Sequence, residues 1–223
     1  MAKKYFRYIP DFDYVSRLSK AQNISDYIRV KNLFKKGYLK EDIFQDLTLF
    51  TKYKVQGNER PDNVAYKIYN DPSLDWIVLL SNNIINIQTE WPMDQYELDR
   101  YLLDKYGSYE KLNETHHYET IEITNSSGVK IVEEGLTVDS DFSVTFYDWM
   151  IDSLETKSGI TNPVTNYEYE MKKEDEKRNI FLLKSDYVHV VKDDLTSIMR
   201  YKKGSTQYVS GTLKKAENIR LYS

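Results

Sequence analysis

Cysteine is absent from the 223 residues, which removes disulfides, thiolate nucleophiles and cysteine-based zinc sites together. Glycine is scarce, with eight residues. None sits in a G-x-x-x-x-G-K-[ST], G-x-G-x-x-G or G-x-S-x-G pattern, so the usual loops for cradling phosphates or exposing a nucleophilic serine are missing. No apolar run approaches the roughly 20 residues that a bilayer-crossing helix needs. The opening MAKKYFRYIP lacks the apolar core of a signal peptide, so the chain is expected to be made and used without secretion. Neither sign of charge dominates: 31 Lys and Arg stand against 35 Asp and Glu, for a net charge of -4. That balance argues against a protein whose main work is neutralising phosphates, and no nucleic-acid partner is expected.

Histidine is nearly absent as well, with His116, His117 and His189 the only three. Adjacent histidines on a strand are expected to point to opposite faces, and no H-x-x-x-H or H-E-x-x-H spacing exists, so no metal site is predicted. Acid pairs such as Glu133-Glu134 and Asp193-Asp194 fall in no motif and read as solvated surface. The sequence therefore predicts no catalytic residue, no cofactor and no metal, and points away from an enzyme.

What the chain does have is tyrosine, twenty of them against three Trp and eight Phe. Large flat side chains with a polar tip suit strand faces and surfaces half buried against another protein. Five aromatics, Tyr5, Phe6, Tyr8, Phe12 and Tyr14, fall in the Pro-interrupted stretch YFRYIPDFDY, read as an extended arm or edge strand. From Ile24 to Phe50 helix and strand periods compete.

The signals sharpen from Tyr53. Tyr53 and Val55 alternate with polar neighbours as in a half-buried strand, and Gly57-Asn58 supplies a turn. Pro61 opens a helix with Val64, Ala65, Ile68 and Tyr69 on one face. Asp71 and Pro72 repeat the start signal for a second, mostly apolar helix that carries Leu74, Trp76, Ile77, Val78 and Leu80 and stops at Asn82-Asn83. Ile84, Ile85 and Ile87 then read as a returning strand, giving strand, helix, helix, strand. Trp76 is expected in the core.

Beyond this module, Trp91-Pro92 is read as opening a helix with Leu98, Tyr101, Leu102 and Lys105 at helical spacing and Gly107 at its end. A short helix from Tyr109 to Glu114 follows the cap Ser108. YETIEIT and VKIVEE flank Asn125 to Gly128 as a hairpin, and FSVTFYDWM suggests a further strand. The segment with Tyr167, Tyr169 and Arg178 carries the charged run YEYEMKKEDEKR, with Glu174 and Arg178 spaced as an i,i+4 pair. NIFLLK reads as a buried strand, and Lys202 to Ser223 as a polar tail awaiting a partner.

Tyr53-x-Val55, Gly57, a helix with Ala65 and Tyr69, and a second helix ending in Leu79, Leu80 and Asn82 resemble the LysM module, which in many proteins binds N-acetylglucosamine chains of cell walls. Arg60-Pro61-Asp62, where LysM sequences usually have Asp-Thr-Leu, the NDPSLDW connection and the very apolar Trp76 to Leu80 depart from that pattern. The wider order of motifs is KKYFRYIPDFDY, ERPDNVAYKIYNDPSLDWIVLLSNNIIN, TEWPMDQYELDRYLLDKYGS, HHYE and NYEYEMKKEDEKRNIFLLKSDYV. That order resembles the small baseplate wedge protein, number 53, of T-even-like contractile-tailed bacteriophages. The resemblance covers most of residues 3 to 200 and is weakest from about Ile121 to Gly159, a candidate insertion.

Combined, these readings give an α+β fold in five segments. Residues 1-52 form an aromatic arm and irregular segment, 53-90 a LysM-like βααβ module, 91-118 a helical segment, 119-160 a β-rich hairpin insertion, and 161-223 a mixed C-terminal part with a tail. The resemblance implies a structural subunit that joins adjacent wedges to each other and to the hub of the pre-contraction baseplate. It implies assembly in the host cytoplasm, a place in the virion tail, and partners among the other wedge, hub and sheath-initiating proteins, with no membrane. Tyr5, Phe6, Tyr8, Phe12, Tyr14, Tyr167, Tyr169 and Arg178 are the expected partner interface, and removal of residues 1 to 14 is expected to leave the module folded. The competing reading is a cell-wall binding module that uses the LysM-like segment on peptidoglycan.

Overall fold

The computed structural model describes residues 4–15 and 27–216. The beginning of the Ile24 to Phe50 segment and the tail beyond residue 216 lie outside the described residues. The fold is α+β and divides into two compact units, one made of Met1–Trp91 with Asn179–Ser223, the other of Pro92–Arg178.

The first unit is built on the expected pair of helices. Pro61 occupies the first turn of Pro61–Tyr69, where a missing N–H costs nothing, and the helix ends at Asn70 with φ 55°. Asp71 accepts from the Ser73 amide and starts the short turn Pro72–Leu74. The helix Asp75–Ser81 follows and buries Trp76, Ile77 and Val78. Its end uses Asn82 and the left-handed Asn83 (φ 52°), a backbone conformation that asparagine tolerates better than most residues.

The returning strand is not where the sequence placed it. Strand Phe50–Lys54 pairs antiparallel with Asn179–Leu183, Tyr53 opposite Ile180 and Thr51 opposite Leu182. Residues 84 to 90 are spent locally. The Ile84 amide bonds Leu79 O at 3.0 Å, the Glu90 carboxylate takes the Ile85 and Asn86 amides, and Asn86 caps the turn Ile87–Glu90. With the Ile84, Ile85 and Asn86 amides satisfied locally, Ile85 and Ile87 stay exposed. Asn82 instead reaches the distant strand: its side-chain oxygen accepts from Phe181 N at 2.7 Å and its amide donates to Phe181 O at 2.9 Å. NIFLLK is thus the buried strand expected, with Ile180, Leu182 and Leu183 turned into the core.

Helix Val188–Met199 completes that core with Val188, Val191, Leu195 and Met199, the spacing of one helical face. The N-terminal stretch is not a loose arm. Tyr5 and Tyr8 pack on Trp76 with ring centroids 6.0 and 5.9 Å away, and the Tyr5 hydroxyl accepts from Gly37 N at 2.8 Å. Gly37 is required by this close approach, since a Cβ there would lie 2.5 Å from Leu195 Cδ1. Asp11–Val15 is an interior strand of a four-stranded sheet in the order Tyr208–Ser210, Leu213–Lys215, Asp11–Val15, Tyr27–Lys31. The described part of the tail is therefore ordered: Leu213–Lys215 runs parallel to the N-terminal strand, Asp11 opposite Leu213. The stretch ends in a strand, as read, but an interior one rather than an arm or edge, because Tyr27–Lys31 pairs on one side and Leu213–Lys215, from the other end of the chain, on the other.

In the second unit the main helix is Gln95–Tyr106, started by Asp94, which accepts from Glu97 N at 2.7 Å. Trp91-Pro92 does not open it; Trp91 belongs to the first unit, where its indole N–H donates to Glu59 O at 2.9 Å. Gly107, at φ 80°, ends the helix as expected, and Tyr109–Leu112 follows from Ser108. Helix Asn166–Lys177 begins with a capping box in which Thr165 and Glu168 exchange side-chain and backbone bonds.

The strands of this unit form a three-stranded sheet, Thr161–Thr165, Thr115–Thr120, Thr137–Val138, and two separate hairpins. The expected hairpin is short: only Ile123–Thr124 pairs with Lys130–Val132. Tyr118 and Glu119 pair with Val138 and Thr137 instead. Buried Thr120 causes the switch, because its hydroxyl donates to Glu133 O at 2.6 Å and accepts from Leu136 N at 3.1 Å, pinning the turn at Gly135.

Candidate protein-docking site

The expected interface residues fall into two sets. Tyr5 and Tyr8 are committed to Trp76, Tyr167 packs on Leu98, Leu102 and Leu112, and its hydroxyl donates to Asp99 at 3.3 Å. Tyr169 stacks on His116 at 3.9 Å with Lys173 Nζ 4.1 Å from its centroid, and Arg178 donates to Met93 O at 3.2 Å. These side chains shape their own units. Phe6, Phe12 and Tyr14 retain surface that a partner can reach.

Phe12 and Tyr14 lie on one face of the four-stranded sheet. Because side chains alternate along a strand and cross-strand partners share a face, the pairs Phe12–Val30 and Tyr14–Ile28 stand side by side. Tyr14, Ile28 and Val30 are each more than two-fifths exposed. The opposite face is charged and internally matched: Arg29 meets Asp13 at 3.0 Å and Lys31 meets Asp11 at 2.8 Å. The hydrogen bond from Arg29 to Asp13 raises the Arg29 pKa above its ordinary value. Among the described strands Tyr27–Lys31 is an edge, with a neighbour on one side only. Just beyond it Leu33 is largely exposed and Phe34 fully so. The sheet thus offers an apolar face ending in a strand with no second neighbour among the described residues, the combination that protein partners use. The sequence reading named Phe12 and Tyr14 but not Ile28 and Val30, which share their face; the alternation in YIRVK was the available signal.

The histidine pair also departs from expectation. His116 Nδ1 and His117 Nδ1 lie 2.9 Å apart, and His117 Nε2 is 3.2 Å from a Glu119 carboxylate oxygen. A register shift opposite Val164 and Thr165 breaks the alternation that would send the rings to opposite faces. Glu119 also accepts from Lys172 at 2.9 Å, and this bond, then that from His117, holds its carboxyl below the usual range. The two rings border a polar cavity of about 710 Å³ with Asp139 and Asp141. Among the described residues no group of three His, Asp or Glu is arranged to hold a metal, and no helix is long and apolar enough to cross a membrane.

An α+β chain whose described residues present an apolar sheet face beside a strand without a second neighbour has the surface of a structural interaction protein. The family comparison gives that class a place. The chain belongs to the phage base plate wedge protein 53 family, whose family model matches residues 6–128. It is a structural component of the virion tail baseplate and associates with other baseplate components. Comparison with curated proteins gives no match.

Proposed function

We propose that this chain is a joint in the wedge, linking adjacent wedges to each other and to the hub of the pre-contraction baseplate after assembly in the host cytoplasm. The observation that carries this reading is the apolar sheet face of Phe12, Tyr14, Ile28 and Val30 beside the open edge strand, within the family-matched part of the chain. Aromatic and aliphatic residues at the centre of such a patch supply most of the binding energy, and truncating one costs about 2 to 4 kcal/mol of binding. Phe6 and Phe34 extend the reachable apolar area. Tyr5 and Tyr8 serve this face by packing its own unit on Trp76, whereas Tyr167, Tyr169 and Arg178 hold the second unit in shape. The reading requires no catalytic step, cofactor, sugar, nucleic acid or membrane.

The paired helices 61–81, with strands Phe50–Lys54 and Asn179–Leu183, are read as a LysM-like arrangement turned from sugar to protein. Two observations favour that use. The second strand comes from the far end of the chain, so the module is integral to a larger core, and Tyr66 and Ile68 project from its first helix where an apolar partner can meet them.

The test is co-sedimentation of the full chain with wedge complexes. Tyr14→Ser combined with Ile28→Ser should reduce incorporation at least about tenfold, the equivalent of 1.4 kcal/mol or more, with an unchanged circular dichroism spectrum. Wild-type incorporation would remove the sheet face from the interface. Calorimetric titration with chitin or peptidoglycan fragments should show no binding tighter than about 1 mM; micromolar affinity would restore the cell-wall reading.

A further inference from the structure

A second apolar feature stands outside the family-matched residues. Strands Val144–Asp148 and Ser153–Lys157 form a hairpin that makes up its own two-stranded sheet. Trp149 and Met150 at its turn are each 72% exposed, Ile151 is 53% and Leu154 72%. Isolated two-stranded hairpins are marginal in water, and this one is braced. The Asp148 carboxylate, fully buried, accepts from Ser126 N at 2.9 Å, Ser126 Oγ at 2.6 Å and Met150 N at 3.0 Å. The Tyr147 hydroxyl donates to Asp152 across the turn, and the Thr145 and Thr156 hydroxyls meet across the strands at 3.0 Å. A braced tip holding four apolar side chains in water is preorganised, and preorganisation lowers the entropy lost on binding.

The charges around the tip select the occupant. Asp148 is buried and Glu155 pairs with Lys157 at 3.0 Å, so the acid presented at the turn is Asp152, and no Lys or Arg lies between Tyr147 and Leu154 in the sequence. A tip built for an anionic lipid surface carries cations beside its aromatics; this one carries an acid. A second copy of the chain, itself of net charge -4, is disfavoured as the receiver by the same repulsion. We infer that the 147–154 turn is a docking finger whose Trp149, Met150 and Ile151 seat in an apolar, basic-rimmed groove on a different protein of the baseplate. This inference rests on the baseplate role.

The experiment places a photo-crosslinking amino acid at Met150 in the full-length chain during phage production, and maps the cross-links in purified particles. The expected result is a cross-link to one other baseplate protein, at a peptide in which Lys or Arg flanks apolar residues. Particles that contain the chain but show no cross-link from position 150, or one to another copy of the chain, overturn the finger and leave the baseplate role standing. Absence of the chain from particles overturns both. In parallel, replacing Trp149, Met150 and Ile151 with serine should leave the circular dichroism spectrum unchanged and lower incorporation at least about tenfold; equal incorporation overturns the inference. Flotation of the wild-type chain with vesicles of phosphatidylglycerol and phosphatidylethanolamine should be negligible, and co-flotation would make the tip a lipid anchor instead.

Discussion

The two units solve the stability problem by different chemistry. In the first, one apolar cluster runs from Ile9 and Leu39 through Val64, Trp76 and Ile77 to Leu183, Leu195 and Met199. In the second, the buried apolar cluster consists of Leu98, Leu102 and Leu112, with Tyr167 and Met171 against it, and charged groups take over much of the work. Glu170 is buried beside Lys105 Nζ at 2.8 Å and the Tyr106 hydroxyl at 3.0 Å. Burial pushes the Glu170 carboxyl up, yet these two bonds more than offset it and hold it below the ordinary value. Glu174, also buried, accepts from Met93 N at 2.5 Å and Lys177 Nζ at 2.7 Å. A large apolar core tolerates changes of salt and pH, whereas a small core bordered by buried acids depends on every partner being present.

The comparison breaks first at the N-terminus. Removing residues 1 to 14 takes away Tyr5, Tyr8, Ile9 and an interior strand. At about 1.5 to 3 kcal/mol per buried large side chain, the loss is of the order of the whole stability of a domain. We expect the first unit to unfold, visible as a lost cooperative transition in urea, while the second unit stays folded. A smaller effect in the same unit is expected from Trp76→Ala, about 3 to 5 kcal/mol. An effect below about 1 kcal/mol in the same titration would remove Trp76 from the core. The buried indole N–H of Trp76 has no hydrogen-bond partner among the described residues, so Trp76→Phe should cost less than Trp76→Ala.

In the second unit, Glu170→Ala should cost about 1 to 3 kcal/mol, because it deletes two bonds to a charged group and leaves Lys105 and Tyr106 without that partner. Amide hydrogen exchange over helix Gln95–Tyr106 is the readout, and unchanged protection would mean the apolar cluster alone holds the unit. The smallest expected effect is at Asp148. Bonds from the Ser126 hydroxyl and amide hold its carboxyl below the ordinary range. Its contribution is therefore complete above the unfolded value of about 3.9 and fades as pH falls through the lower folded value. The protection of the Ser126 and Met150 amides, taken relative to their intrinsic exchange rates, should fall in that acid window and stay flat from pH 5 to 8.

Legibility in the sequence followed the range of the interactions. Helix starts and stops depend on residues within four positions, and Pro61, Asp71, Gly107 and Ser108 act where the sequence placed them. The Thr165–Glu168 capping box was equally readable and went unused, because the charges after it suggested only surface. The partner of Phe50–Lys54 was not readable: three isoleucines stood at the expected return, while Asn179–Leu183 lay far along the chain, and local turn bonds decided between them. The aromatic stretch was legible as extended, but its interior place in the sheet, set by Leu213–Lys215, was not. Half of the proposed docking surface, Phe12 and Tyr14, was legible as aromatics; Ile28 and Val30 join it only through cross-strand register.

The parallel pairing of Asp11–Asp13 with Leu213–Lys215 also sets an order in time. Residues 92 to 178 are contiguous, so the second unit can form on the ribosome as soon as it emerges. The first cannot complete its sheet until Lys215 has left the exit tunnel. Long-range closure of this kind is slow relative to local folding. Synthesis therefore yields a folded middle before a finished whole, and the strand carrying Phe12 and Tyr14 gains its second sheet neighbour only after residues 213 to 215 have emerged. A chain stalled before that point would lack the complete sheet on which the proposed docking face rests.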